Sequence, residues 1–292
     1  MDPRKALLVL YQMLPTDQFS DASHIKNLFW LHFGRKLDLD DPQTFNEKLQ
    51  WLKLYDRRPE YTMMVDKYQV REYIAEKLGE EYLIPLLGVW DDPDEIDFDA
   101  LPNQFVLKCN HNSGLGMCIC KDKSKLDIEK VKKDLRRGLK QDYYLTGREW
   151  PYKDVPRKII CEKFMTNGGR ELDDYKIHNF NGIPKVILVC RDRFQRSGLT
   201  EDFFDENWRH LNISRPNHPN AVQTPKKPPE LTRMLAFAQL LSERIPFIRT
   251  DFYIIDGKVY FGELTFFPAT GMEKFCPEEW DYTLGSWIEL LK

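Results

Sequence analysis

The chain has 292 residues, enough to bury a sizeable core in one large domain or two ordinary ones. Its 43 basic and 46 acidic side chains nearly balance and form no long like-charge run, which argues against nonspecific nucleic-acid binding through a basic surface. No apolar run approaches the roughly 20 residues of a membrane span. The apolar patch behind Met1-Asp-Pro-Arg-Lys is too short for a signal peptide and lacks a small-residue cleavage site.

The six cysteines (109, 118, 120, 161, 190 and 276) include no C-x-x-C pair. Several lie in strand-like apolar runs, where a reduced thiol behaves as a small hydrophobe. The expected compartment is the cytoplasm, and zinc has no ligand set.

Residues 1 to about 60 read as helical, with a dense apolar patch at Leu28-Phe-Trp-Leu-His-Phe. Thr44 and Glu47 make a capping box ahead of Leu49, Trp51, Leu52 and Leu54. A second helix is expected from Asp66 to Leu78 with Gly79 as its C-cap, then a strand at Ile84–Trp90 and an acidic connector at 91–101. Gln104-Phe-Val-Leu-Lys108 is a strand that runs into Cys-Asn-His-Asn-Ser113-Gly114-Leu-Gly116 and returns at Met117-Cys-Ile-Cys. Backbone N–H groups of such a loop can form an anion-binding nest with Lys108 at its base. A Lys-rich amphipathic helix (128–140), an aromatic irregular stretch (141–157) and a strand at Lys158–Met165 follow. Asp174–Phe180 opens a hairpin closed at Asn181-Gly182 and returning over 184–191. Residues 195–229 are polar, hold five prolines, and are read as a long surface loop serving as a lid. A helix near 230–243 precedes the last hairpin. The pattern is α+β with mostly antiparallel strands.

That hairpin, Arg249-Thr-Asp251 to Glu263-Leu-Thr265 around Asp256-Gly257, carries the chemistry. Glu263 and Thr265 share a face because strand side chains alternate. Asp251 joins that face only through a three-residue loop or a bulge, since a plain two-residue turn puts 251 and 263 on opposite sides. Two adjacent carboxylates on an apolar hairpin need a compensating cation, and hard oxygen donors suit Mg²⁺ held together with nucleotide phosphates. Arg249, two before Asp251, adds a fixed positive charge.

The order of these pieces resembles the ATP-grasp superfamily, and more closely its TupA-like branch, associated with teichuronopeptide and capsular polysaccharide biosynthesis. The matching blocks are Pro42–Asp56, Asp66–Tyr73, Phe105–Gly114, Asp174–Gly182 and Pro277–Asp281. The resemblance implies an ATP-grasp fold divided as a helical segment (1–60), a helix-strand lead-in (61–100), a lid subdomain with the phosphate loop (101–165) and a C-terminal subdomain with the metal site (166–292). It implies ATP and Mg²⁺ as cofactors. Lys67 and Lys108 would reach phosphates, with Ser113, Gly114 and Gly116 in the loop. Glu162, Lys163, Phe164 and Met165 would border adenine, and Asp174 (or Glu171 or Asp173) the ribose. Asp251 and Glu263 would hold the metal, with Thr265 where the superfamily usually has Asn. Arg249, Lys176 and one of Arg191 or Arg193 would complete the positive side. His111 and His178 are read as hydrogen-bonders rather than bases. Residues 1–60 are too short and too helical for the Rossmann-like domain that normally precedes this fold.

The implied activity is a carboxylate–amine ligase working through an acyl phosphate. By resemblance it would join an amine such as an amino acid to a carboxylate such as a uronic acid of a surface polysaccharide. Its partners would be these substrates, with no nucleic acid and no membrane span, at most in peripheral association with a polysaccharide assembly. An ATP-grasp kinase and a nucleotide-sugar glycosyltransferase are the alternatives.

Overall fold

The computed structural model describes residues 3–290 except Arg170, Phe194, Arg196 and Ser197. Met1 and Asp2, ahead of the N-terminal apolar patch, and positions 196–197 of the expected lid thus lie outside the described residues. Helix α1 (Pro3–Gln12) lies against α2 (Asp21–Phe33), whose N-terminus is capped by Ser20 and which ends at the left-handed Gly34. Helix α3 (Phe45–Tyr55) starts at the expected capping box: the Thr44 hydroxyl accepts the Glu47 N–H and the Glu47 carboxylate accepts that of Thr44. Helices α4 (Glu60–Val65) and α5 (Val70–Lys77) follow. The helix expected from Asp66 begins only at Val70, because the Asp66 carboxylate accepts the N–H groups of Tyr68 and Gln69 and holds 66–69 as a turn.

Two antiparallel sheets organise the rest. The first has the order β1-β4-β2-β3, built from β1 (Leu86–Trp90), β2 (Phe105–Cys109), β3 (Met117–Cys120) and β4 (Ile159–Lys163). Helix α6 (Ile128–Lys140) buries Val131 and Leu135 in its core beside Phe105, Leu107 and Ile159. The edge strand β1 comes from the lead-in segment, so this sheet crosses the expected division at residue 100. The short helix α7 (Tyr144–Gly147) lies between α6 and β4 in the chain.

The second sheet has the order β7-β6-β5-β8-β9: β5 (Asp174–Phe180), β6 (Ile183–Arg191), β7 (Thr200–Asp205), β8 (Phe247–Ile255) and β9 (Lys258–Thr265). Its two tight hairpins turn at Asn181-Gly182 and Asp256-Gly257, all four residues having positive φ as a primed two-residue turn requires. Helix α8 (Leu231–Leu241) covers one face, with Phe237 against Phe252 at 6.3 Å. Alternation then sends Asp174, Lys176 and His178 of β5, and Arg249 and Asp251 of β8, to the other face.

Behind β9 the chain makes a left-handed turn in which Ala269, Thr270 and Gly271 all have positive φ. One stripe of α3 holds it. Gln50 donates to the Gly271 carbonyl at 2.7 Å, Lys53 to that of Thr270 at 2.7 Å, and Asn46 to that of Glu273 at 2.7 Å. Spacings of four and three residues put the three donors on one helix face. Burial pushes the Lys53 ammonium down to about 8, against the charge of Glu149.

The expected lid over 195–229 is corrected. Residues 200–205 form β7, paired to β6 with Leu188 opposite Phe203. The strand was hidden because Glu201 and Asp202 are both fully buried, answered by Arg215 and His210. The remainder is tied down: Trp208 stacks on Phe204 at 4.3 Å and donates to the Pro225 carbonyl, and Ser214 pairs with Cys276. Trp208 is therefore a packing residue of this segment.

Helix α9 (Glu279–Ser286) meets the start of α3 at Gly285, where an added Cβ would sit 2.3 Å from the Gln43 carbonyl oxygen and 2.6 Å from the Phe45 nitrogen. Both neighbours are backbone and cannot swing away. Gly285→Ala is expected to lose about 2 kcal/mol or more in urea unfolding, an overpacking cost, whereas an unchanged midpoint would deny the close approach of the two helices.

Candidate active site

The chemistry of the second sheet gathers at β8–β9. Asp251 pairs with Glu263 and Arg249 with Thr265, because a bulge between Asp251 and Phe252 leaves Gly262 without an opposite residue. The turn itself has only two residues, so the bulge alone brings both carboxylates to one face. A Cβ at Gly262 would approach the Asp251 carbonyl oxygen to 3.0 Å, which favours glycine there.

Asp251 is almost fully buried and chelated by the Arg249 guanidinium at 2.6 and 2.7 Å. Lys176, opposite it on β5, donates to the same carboxylate. From this pair a row of alternating charges runs across the sheet. On one side Lys176 meets Asp174 at 2.7 Å, and Arg193 reaches Asp174 at 3.6 Å. On the other, Arg249 reaches Glu263 at 3.1 Å and the Thr265 hydroxyl at 3.1 Å, and Lys67 lies 3.9 Å from Glu263. Arg191 instead turns to the Gln223 carbonyl, which leaves Arg193 as the arginine facing the row.

Burial works to raise the Asp251 carboxyl, but Arg249 and Lys176 outweigh it and hold it below the usual carboxylate range. Burial works against the Lys176 ammonium, yet Asp251 keeps it above the ordinary lysine value. Asp174 is raised, first by burial and then by the nearby negative charge of Asp251, and its Oδ1 is buried without a hydrogen-bond partner among the described residues. His178 is pushed down to about 3 by burial and by Arg249, so its ring stays neutral near pH 7.

The first sheet faces this row across a narrow cleft. Lys108 of β2 pairs with Glu162 of β4 at 2.6 Å. Lys67 lies in the turn before α5, not in the helix; its ammonium donates to the Asn112 carbonyl at 2.8 Å, and burial pushes its pKa down despite Glu263. Its backbone N–H bonds the Asn110 carbonyl, while the Asn110 amide bonds Asp66 at 2.8 Å. The glycine loop is thus anchored at 110–112, with His111 bonded to the Gln141 carbonyl. Ser113 and Gly114 are exposed at its tip, and Ser113 hydrogen-bonds Tyr143. Gly116 sits against Gly138 of α6, so close helix packing accounts for it.

Lys67, Lys108, Glu162, Phe261 and Glu263 line a cavity of about 10 Å³ between the sheets, and a second cleft of about 650 Å³, which shares Arg71 and Leu83 with it, is lined by Glu80, Glu81, Lys258 and Tyr260. Lys163, Phe164 and Met165 continue from β4 into the crossing to the second sheet and line neither space. The sequence reading missed Arg71, which lies 3.5 Å from Glu162 and lines both. Its place four residues after Lys67 was the available signal.

Asp251, Glu263 and Thr265 offer two carboxylates and a hydroxyl on one face, a donor set suited to a hard cation shared with phosphates. Among the described residues no three His, Cys, Asp or Glu side chains form a ready metal cage, so any ion there would need oxygens from a ligand.

The two carboxylates differ in what they do for stability. Asp251→Asn removes the anion that Arg249 and Lys176 share, leaving the two buried cations only Glu263 and Asp174, and is expected to cost about 3 kcal/mol in urea unfolding. Glu263, with its side chain 38% exposed, is expected to cost less than about 1 kcal/mol as Gln. Because the folded pKa of Asp251 is depressed, its contribution is complete above about pH 3.8 and lost as pH falls through the lower folded value; Asp251→Asn should flatten that limb. Equal costs for the two substitutions would contradict this division.

A family description, TupA-like ATP-grasp, matches residues 47–289. No curated protein sequence matches the chain. Among solved structures, D-alanine–D-alanine ligase from Bacillus anthracis complexed with ATP is similar at 16% identity and a TM-score of 0.42, over 70% of this chain and 55% of the ligase. The Helicobacter pylori ligase is similar at 14% identity and a TM-score of 0.46, over 85% of this chain and 70% of that one. The ATP-grasp ligase PsnB complexed with a minimal precursor is similar at 12% identity and a TM-score of 0.39, over 76% of this chain and 59% of that one. The chain therefore spans little more than half the length of the first of these ligases. With the family description covering most of its length, two antiparallel sheets facing across a charged cleft have a name: the chain belongs to the TupA-like ATP-grasp family.

Proposed function

We propose that the protein is an ATP- and Mg²⁺-dependent carboxylate–amine ligase. The observation that carries this reading is the convergence of Lys67, Lys176 and Arg249 on the paired carboxylates Asp251 and Glu263, with Lys108 beside them on Glu162 of the other sheet. Phosphoryl transfer asks a protein mainly for positioning and charge neutralisation, which such a set supplies. Mg²⁺ held by Asp251, Glu263 and Thr265 would screen phosphate charge. Lys67 and Lys108 would bind phosphates beside the Ser113–Gly116 loop, and Glu162–Met165 and Asp174 would border base and ribose.

In this reading the terminal phosphoryl group of ATP passes to a substrate carboxylate oxygen, giving an acyl phosphate. A neutral amine then attacks the carbonyl carbon, the C–N bond forms, phosphate leaves with the C–O electron pair, and the proton lost by nitrogen passes to the departing phosphate. Arg249, held at the face of the sheet by Asp251, would stabilise charge on the tetrahedral oxygen, with Lys176 and Arg193 beside it. We further propose a uronic acid of a surface polysaccharide as the carboxylate and an amino acid as the amine, with action in the cytoplasm. No helix among the described residues is long and apolar enough to cross a membrane.

A glycosyltransferase site would need an acidic motif at a cleft. The acidic runs of the sequence, Asp40-Asp41 and Asp91–Asp94, are placed elsewhere: Asp40 and Asp41 lie in an exposed turn whose N–H groups bond the Asp38 carboxylate, Asp92 caps a short turn, Asp94 pairs with Lys132 and Arg136, and Asp91 pairs with Lys158.

Melting with ATP, ADP and a uridine-diphosphate sugar, each with and without Mg²⁺, is the test. At a hundredfold excess over Kd the nucleotide should add about 2.7 kcal/mol of stability. The expected result is a Mg²⁺-dependent rise with ATP, absent with the nucleotide sugar and lost in Asp251→Asn/Glu263→Gln. Indifference to ATP, or an ATP response untouched by that double substitution, would overturn the nucleotide site. Products from ATP, a uronic acid and an amino acid then separate ligase from kinase: an amide with free phosphate supports the first, and a phosphorylated sugar the second.

A further inference from the structure

The aromatic stretch 141–157 has no part in the site so far, yet it bridges the two sides of it. Tyr143 hydrogen-bonds Ser113 at the tip of the glycine loop, and Glu149 accepts from the hydroxyl of Thr270, beyond the Glu263–Thr265 end of the charge row. The Tyr152 ring stands edge-on to that of Tyr143 at 4.8 Å. All three side chains lie within electrostatic reach of Arg249 and Glu263.

Glu149 is 3% exposed and makes no ion pair among the described residues. The cation it feels most is Lys53, but that ammonium spends its donors on the Gly147 carbonyl and on the carbonyl and hydroxyl of Thr270. The carboxylates of the row are committed: Asp251 to Arg249 and Lys176, Asp174 to Lys176 and Arg193, Glu263 to Arg249. Across the cleft Glu162 is committed to Lys108. An amine that arrives as its ammonium meets a site crowded with cations and needs an anion of its own. A carboxylate beside aromatic rings suits that charge.

We propose that Glu149, walled by Tyr143 and Tyr152, is the ammonium-binding residue for the amine substrate and takes its proton before attack. The inference rests on the ligase reading above. One N–H proton passes to the Glu149 carboxylate, the nitrogen keeps the electron pair, and the neutral amine so formed is the nucleophile for the acyl phosphate. Burial, which raises the Glu149 carboxyl above the usual range while Lys53 works the other way, favours this transfer.

The test runs the full chain with ATP, Mg²⁺ and D-glucuronate and offers nitrogen in two forms. A mixture of the common amino acids presents ammonium groups near pH 7, whereas hydroxylamine is neutral there and needs no proton acceptor. Amide is read by mass spectrometry and hydroxamate by its ferric complex. Glu149→Gln is expected to lower kcat/KM for the amino acid that the wild type uses best by roughly tenfold, and to keep hydroxamate formation within about twofold. If circular-dichroism melts show that it does not fold, Glu149→Asp keeps the charge for Lys53, withdraws it by one methylene, and should show the same split at about threefold. Equal loss of both products would assign Glu149 to the scaffold or to acyl phosphate formation and overturn the proposal. So would unchanged amide formation, or a wild type that makes hydroxamate and accepts no amino acid. A wild type that makes neither product overturns the ligase reading itself, and this proposal falls with it.

Discussion

Asp251 is the constraint on which the rest of the site turns. A carboxylate this deeply buried is tolerable only with its charge matched, and the sheet matches it twice, along its own strand by Arg249 and across the ladder by Lys176. Each of those cations is in turn shared with another anion. Asp174 takes the second valence of Lys176 and Glu263 that of Arg249. The charge order along the face is therefore set by requirements propagating outward from one buried group. It reaches the half-buried Glu263, where Lys67 from the other side of the cleft closes the row.

The scaffold around this row is assembled from distant parts of the chain. Helix α3 belongs to the main core through Phe45, Leu49 and Leu52, although residues 1–60 read as a separate helical segment. Its polar stripe of Asn46, Gln50 and Lys53 fixes the backbone carbonyls of 270–273. Thr270 is β-branched at φ 52°, a conformation such a residue adopts only where its surroundings impose it. Lys53 also donates to the Gly147 carbonyl at 2.8 Å, so one buried ammonium joins three segments.

How much of this was legible follows from particular residues. The capping box at Thr44, both primed turns and the parity of 251 against 263 are local rules, and the structure agrees with each. Parity required either a longer loop or a bulge, and Gly262 supplied the bulge. Strand β7 escaped because alternation is read from hydrophobicity, and Glu201 and Asp202 are buried by long-range pairing with Arg215 and His210. The fold class was readable, and the family description agrees with it. Which cations face which anions was not, since Arg71 meets Glu162 only once α5 is set against the first sheet.

The turn at 66–69 has a mechanical consequence. Asp66 binds its own turn and the Asn110 amide, Lys67 bonds the Asn110 carbonyl through its backbone, and its ammonium holds that of Asn112. The base of the glycine loop and the Lys67 turn are thereby riveted into one piece, and Lys108 stands two residues before Asn110 on the strand that feeds it. If the jaws of the cleft widen, this piece keeps its internal spacing like the fixed teeth of a clamp. The distance that changes is the one from Lys67 across to Glu263, the longest link in the charge row at 3.9 Å. The longest ion pair of the row is thus also its parting line.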